Sequence, residues 1–124
     1  MEDQNSENDN YSVRPWGHYK KVFQEPGVWV KRVEINPGSR LSLQKHSQRS
    51  EKWIMVQGTG LAIVNEREIT VEPGIVVDVP LGAIHRISNT GRDPLVFIEV
   101  ACGTYLVEND IVRLQDDYDR TTED

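Results

Sequence analysis

The chain has 124 residues, 14 Lys and Arg against 20 Asp and Glu, and a formal net charge of -6, which allows one domain around one core. No Lys/Arg cluster offers a face to nucleic acid, and no apolar run approaches the roughly 20 residues with which a helix crosses a bilayer. The N-terminus lacks the charged-then-apolar layout of a secretory signal, so the expectation is a cytoplasmic protein without a nucleic-acid or membrane partner.

Negative charge concentrates in "MEDQNSENDN" at the start and "QDDYDRTTED" at the end. Neither has apolar periodicity, so a flexible acidic tail is expected over 1–12, one domain over 13–120 and a short tail over 121–124. Between them run short β-like segments, at 18–23, 28–35, 40–46, 51–57, 60–64, 67–72, 75–79, 84–88 and 95–101. Turn residues separate them, as in "NPGS" at 36–39, "NE" at 65–66 and "PLGA" at 80–83. A short helix is expected near 109–115, with Asn109 or Asp110 as its cap. The fold class read from this pattern is all-β, a double-stranded β-helix or jelly roll. The single cysteine, Cys102, has no partner for an internal disulfide and reads as a buried, unreactive thiol in "LVFIEVAC".

Alternation then separates inward from outward side chains. Arg40, Ser42, Gln44 and His46 share a face, and Glu51 shares one with Trp53 and Met55. A carboxylate among core residues is costly unless it is paired or holds a metal. His85 sits with Ile87 on an apolar side, so in a jelly roll Gln44, His46, Glu51 and His85 can converge.

Two motifs name a family. Gly38-x5-Gln44-x-His46-x4-Glu51-x6-Gly58 resembles the first cupin motif, with Gln44 where its first histidine usually stands. Gly74-x5-Pro80-x-Gly82-x2-His85-x3-Asn89 resembles the second and matches it at every position. The wording of "RPWGHY" (14–19), "VKRVEINPGSRLSLQKH" (30–46), "EKWIMVQGTG" (51–60), "PLGAIHRISN" (80–89) and "DIVRLQDDYDR" (110–120) is similar to the type II mannose-6-phosphate isomerase domain. That domain is usually the C-terminal cupin of a bifunctional phosphomannose isomerase and mannose-1-phosphate guanylyltransferase. No Gly-rich nucleotide-binding loop occurs in this sequence, so the resemblance implies the isomerase part alone.

The resemblance implies a divalent metal held by Gln44, His46, Glu51 and His85. Zinc is favoured, while Mn2+, Co2+, Ni2+ and Fe2+ suit the same donor set. It implies interconversion of mannose 6-phosphate and fructose 6-phosphate through a cis-enediol. Such chemistry needs a base, a means of stabilising charge on oxygen and a grip on the phosphate. For the phosphate the candidates are Arg40, about 13 Å from Gln44 along the strand at roughly 3.3 Å per residue, and Lys31, which shares a face with Trp29 and Val33. For the base they are Glu99, inward if it follows Leu95 and Phe97, and Arg86, which alternation turns away from His85. The family commonly reads "QKHHHRAEHW" and "EDDYGR"; here Ser47, Gln48 and Lys52 replace histidines, Gln115 replaces a glutamate and Asp119 a glycine.

Two other functions stay open. One is a non-catalytic cupin that binds a sugar phosphate or sugar nucleotide as a sensor or partner subunit. The other is an iron-dependent oxygenase, against which Gln44 argues. Ile54 and Val56 make the outer face of their strand apolar, so a homodimer is expected there, the alternative being cover by residues 14–24.

Overall fold

The computed structural model describes residues 10–120 and contains eleven β-strands. They are β1 (Tyr11–Arg14), β2 (Gly17–Glu25), β3 (Val28–Ile35), β4 (Leu43–Lys45), β5 (Arg49–Gln57), β6 (Gly60–Val64), β7 (Arg67–Val71), β8 (Val76–Val79), β9 (His85–Asn89), β10 (Leu95–Gly103) and β11 (Val112–Gln115). Two antiparallel sheets face each other, in the orders β1-β2-β3-β10-β5-β8 and β11-β4-β9-β6-β7. No helix among the described residues is long and apolar enough to cross a membrane.

The alternation read from the sequence sets the core. Along β3, Trp29, Lys31, Val33 and Ile35 are buried, and along β5 so are Arg49, Glu51, Trp53 and Met55. The register lines these residues into rows across β10. Val33 and Met55 flank Phe97, Lys31 and Trp53 flank Glu99, and Trp29 and Glu51 flank Ala101. One end of the sandwich is therefore apolar, with Ile35, Leu95, Phe97, Ile87 and Val71 all fully buried. Each such side chain contributes roughly 1.5–3 kcal/mol by leaving water. The other end carries ionisable side chains into the interior.

Turn chemistry fixes how β9 arrives at that end. Asn65 and Glu66 both hold positive φ, 48° and 73°, and join β6 to β7 by the two-residue hairpin that matches strand twist. The Asn65 backbone N–H donates to Ile84 O at 2.7 Å, and its side-chain oxygen accepts from Ile84 N at 3.0 Å. Gly82, at φ 78°, donates its N–H to His46 O at 3.1 Å. The hairpin and the Pro80–Ala83 turn thus pin the start of β9 beside the chain at His46. At Gly60 a Cβ would run into Ser88 O and come within 2.9 Å of the Leu95 side chain, so only glycine lets β6 approach there.

Several expectations need correction. Residues 109–115 are not helical: a turn leads into β11, which pairs with β4 through Val112 to Lys45 and Arg113 to Gln44. Pairing with an open strand edge outweighs a helix of about two turns, too short to be stable alone. The first strand begins at Tyr11, two residues before the expected start of the domain; the remaining tail residues, 1–9 and 121–124, lie outside the described residues. The expected strand over 40–46 shortens to Leu43–Lys45, with Arg40 joined to Ser88 by an isolated bridge. Cys102 is exposed, because β10 turns its Val28-facing position outward. Residues 17–25 do not cover β5. They form a strand in the same sheet, and Ile54 and Val56 stay 43% and 52% exposed.

Candidate metal and substrate site

Gln44 and His85 are paired directly across β4 and β9, so their side chains share the inner face. The His46 and His85 rings lie 5.0 Å apart, and His85 meets the Trp53 ring edge-on at 5.7 Å. His46 Nε2 is 3.4 Å from Glu51 Oε2, matching the roughly 3.4 Å edge of a tetrahedron with bonds near 2.1 Å. One ligand atom from each of His46, Glu51 and His85 lies within 4.8 Å of the others, and all three residues are buried.

The tautomers suit a cation. His46 Nδ1 donates to Asp110 O at 2.6 Å and His85 Nδ1 to Ala83 O at 3.0 Å. Both rings then keep an Nε2 lone pair for the pocket, the arrangement in which outer partners orient metal-binding imidazoles. Gln44 uses its amide nitrogen on Ser42 Oγ at 2.9 Å, so the group it can offer an ion is its oxygen. Burial lowers the His46 pKa to about 4, with Arg49 and His85 adding to the effect and Glu51 opposing it. Burial likewise lowers His85. Burial alone would raise Glu51, but the Arg49 guanidinium, with His46 and His85, outweighs it and holds the carboxyl at about 2. Near neutrality the set is two neutral imidazoles and one carboxylate, which fits a divalent ion.

Arg49 is the site residue that sequence reading missed. Its Nε donates to Glu51 Oε2 at 2.9 Å, and its Nη2 lies 3.3 Å from His46 Nε2. The signal was present: Arg49 precedes Glu51 by two and shares its face. Glu99 and Lys31, both buried, line the same pocket. Glu99 Oε2 accepts from Trp29 Nε1 at 3.0 Å. Lys31 Nζ lies 2.8 Å from Glu108 Oε2 and over the Tyr19 and Trp29 rings, at 4.1 and 4.2 Å.

Comparison with known proteins identifies the architecture. Residues 1–116 match the family described as mannose-6-phosphate isomerase C-terminal. The chain belongs to that family. It is 41% identical over 120 residues to the alginate biosynthesis protein AlgA of Pseudomonas aeruginosa, covering 95% of this chain and 25% of that protein. The capsular polysaccharide assembling protein CapF of Staphylococcus aureus superposes with a TM-score of 0.75 at 24% identity, over 85% of this chain and 34% of that one. The Schizosaccharomyces pombe Cnp3 cupin domain does so with 0.67 at 20% identity, over 69% and 64%. The fold is a cupin, and the chain spans about a quarter of the length of AlgA.

For this mannose-6-phosphate isomerase C-terminal domain, the departures from the family wording fall outside the site. Ser47 and Gln48 are exposed, and their N–H groups cap the Asp110 carboxylate at 2.9 and 2.8 Å. Lys52 faces outward and meets Asp78 at 2.6 Å. Asp119 takes φ 55°, a left-handed conformation that aspartate tolerates better than most residues and glycine more easily still.

Two sequence candidates stand apart from the pocket. Arg40 is 42% exposed along its side chain and forms a bidentate pair with Asp117, at 2.8 and 2.9 Å. Arg86 faces the other side of β9 from His85, as alternation required. Its Nε donates to Leu41 O at 2.9 Å, and its two terminal nitrogens donate to Gln115 Oε1 and O at 3.3 Å. That ties β9 to β11. Arg86→Met is expected to lower unfolding stability by about 1–3 kcal/mol through the orphaned carbonyls and to leave metal content unchanged, as denaturant titration and elemental analysis would show.

Proposed function

We propose that the domain is a metal-dependent sugar-phosphate isomerase interconverting mannose 6-phosphate and fructose 6-phosphate. The observation that carries the reading is the convergence of His46, Glu51 and His85, with Gln44 beside them, in a pocket that also holds the buried carboxyl of Glu99. An ion there would be held by both Nε2 atoms, the Glu51 carboxylate and the Gln44 amide oxygen, zinc being favoured. The chemistry it supplies when bound is polarisation of a sugar carbonyl or hydroxyl oxygen. Glu99 removes the proton at one of C1 and C2 and returns it at the other, passing through the cis-enediol. Trp29 holds the Glu99 carboxyl in place, and Trp53 stands opposite Glu99 on the neighbouring strand. Removing metal with a chelator is expected to abolish turnover in a coupled isomerase assay, and adding back Zn2+ or Mn2+ to restore it. Full activity after verified metal loss would overturn the reading.

A second reading is a metal-free module that binds a sugar phosphate or sugar nucleotide without turning it over. Its support is Arg49, whose guanidinium already pairs with Glu51 and abuts His46 Nε2. Proton exchange at C2 in heavy water, followed by NMR, separates the two.

The quaternary proposal is a homodimer through the outer face of the six-stranded sheet. There Ile98 and Val76 flank the exposed Ile54 in one cross-strand row. Ile54→Lys is expected to convert a dimer to a monomer in sedimentation, and a monomeric unsubstituted chain would refute it.

A further inference from the structure

The chain between β10 and β11 reaches three residues of the pocket with its own polar groups. Val107 O accepts from Arg49 Nη1 at 3.1 Å, the Glu108 carboxylate takes Lys31 Nζ at 2.8 Å, and Asp110 O takes His46 Nδ1 at 2.6 Å. Asp110 does more than lend a carbonyl. Its Oδ1 accepts from the Ser47 backbone N–H and hydroxyl, each at 2.9 Å, and its Oδ2 from the Gln48 N–H at 2.8 Å. One residue thus holds three consecutive ones, His46, Ser47 and Gln48. The strand register explains the placement. Val112 faces Lys45 and Arg113 faces Gln44, so the same antiparallel register, extended past the start of β11, sets Asp110 opposite Ser47. There the carboxylate takes two backbone N–H groups that a partner strand would otherwise meet with carbonyls. The residue that the sequence offers as a helix cap is instead a cap for the neighbouring segment.

We propose that Asp110 is a positioning residue of the metal site, fixing His46 with its proton on Nδ1 and its Nε2 free for the ion. The role rests on the metal-dependent reading of the site. The two imidazoles are held differently. His85 bonds Ala83 O, two residues away, whereas the Asp110 carbonyl comes from 64 residues further along the chain than His46. Pairing of β11 with β4 brings that carbonyl near, and the carboxylate, gripping the next two residues by charge-assisted bonds, sets its place on the ring. Without the grip the ring is free to adopt the other tautomer, in which Nε2 carries the proton and has no lone pair for a metal. Aspartate fits the task because both of its oxygens are used; asparagine keeps only one acceptor.

The test is zinc titration against a competing chelator, with nitrogen NMR of the imidazoles in metal-free protein at neutral pH, both on the full chain. Zinc affinity is expected to fall about 10–100-fold in Asp110→Ala, and Asp110→Asn to recover part of the loss. In Asp110→Ala the His46 nitrogens should move toward a mixture of tautomers while those of His85 stay in place, a contrast that a general loss of stability would not produce. Because a variant can fail by unfolding, the unsubstituted protein supplies a further check: without metal, its His46 should carry the proton on Nδ1 and none on Nε2. Unchanged zinc affinity in folded Asp110→Ala, His85 signals that move as far as those of His46, or an Nε2 proton on His46 in the parent would each overturn the role. The two readings fail separately. Weakened zinc binding with a shifted His46 tautomer, but no sugar-phosphate turnover in the parent, leaves Asp110 in its role and removes the isomerase. Turnover in the parent with zinc affinity and tautomer unaltered in Asp110→Ala does the opposite.

Discussion

Glu51→Gln is expected to lose bound metal and turnover and to lower unfolding stability by about 3 kcal/mol or more. Both carboxylate oxygens are engaged inside the sandwich: Oε1 accepts from Trp53 Nε1 at 2.9 Å and Oε2 from Arg49 Nε at 2.9 Å. A glutamine must turn its NH2 toward one of those donors, and it leaves the Arg49 guanidinium, 6% exposed, without its hydrogen-bonded counter-charge. The acid dependence gives an independent check. The Glu51 carboxyl sits at about 2 in the fold against 4.5 as its ordinary value. As pH falls, the unfolded chain takes up this proton first. The stabilisation is therefore complete above about 4.5 and drains away between there and about 2, worth on the order of 3 kcal/mol. Glu51→Gln should lose that dependence in metal-free protein. Urea titrations at pH 7 and pH 3, beside elemental analysis, read both effects. A variant as stable as its parent, or one that retains metal, would show that Glu51 is not the centre of this site.

What the sequence made legible was whatever depends on a period of two. Trp53, Met55, Phe97 and Ile35 were placed by alternation, and the same rule brought Glu51 and His46 inward, while for Glu99 it left two registers open and the structure buries it. The interruptions were less legible. Arg40 follows the alternation of Ser42 and Gln44 on paper, but the chain is regular only from Leu43, and the arginine swings out to Asp117. Segment 109–115 carries no clear period, and only the open edge of β4, a tertiary fact, makes it a strand. Arg49 was readable from its position two before Glu51. It was passed over because a buried guanidinium is improbable until its partner carboxylate is known to be buried beside it.

Glu99→Gln is expected to lower isomerase turnover by about 10²–10⁴-fold while metal stays bound. Glu99 stands opposite Lys31 and Trp53 on its two neighbouring strands, which makes it a diagonal neighbour of Glu51. Burial first, then the charge on Glu51, raise its carboxyl to about 7, against the pull of Lys31, Arg49 and the Trp29 hydrogen bond. A general base acts only when ionised, so the rate should climb with pH as this carboxyl titrates and the variant should lose that limb. Stability should move the other way. A carboxyl whose folded value is above its unfolded one stabilises the fold fully below about 4.5, and that contribution is lost as pH rises to about 7. Above it the protein buries a poorly matched charge at a cost of up to about 3 kcal/mol. The neutral glutamine still accepts from Trp29 and carries no such cost. Metal-free Glu99→Gln should therefore be more stable than its parent at pH 8 and nearly equal to it at pH 4. A variant that is slow and also less stable at pH 8 would mean that Glu99 holds the sheet together rather than moving a proton. Rate lost with stability gained is the signature of a group kept in an unfavourable state for the reaction.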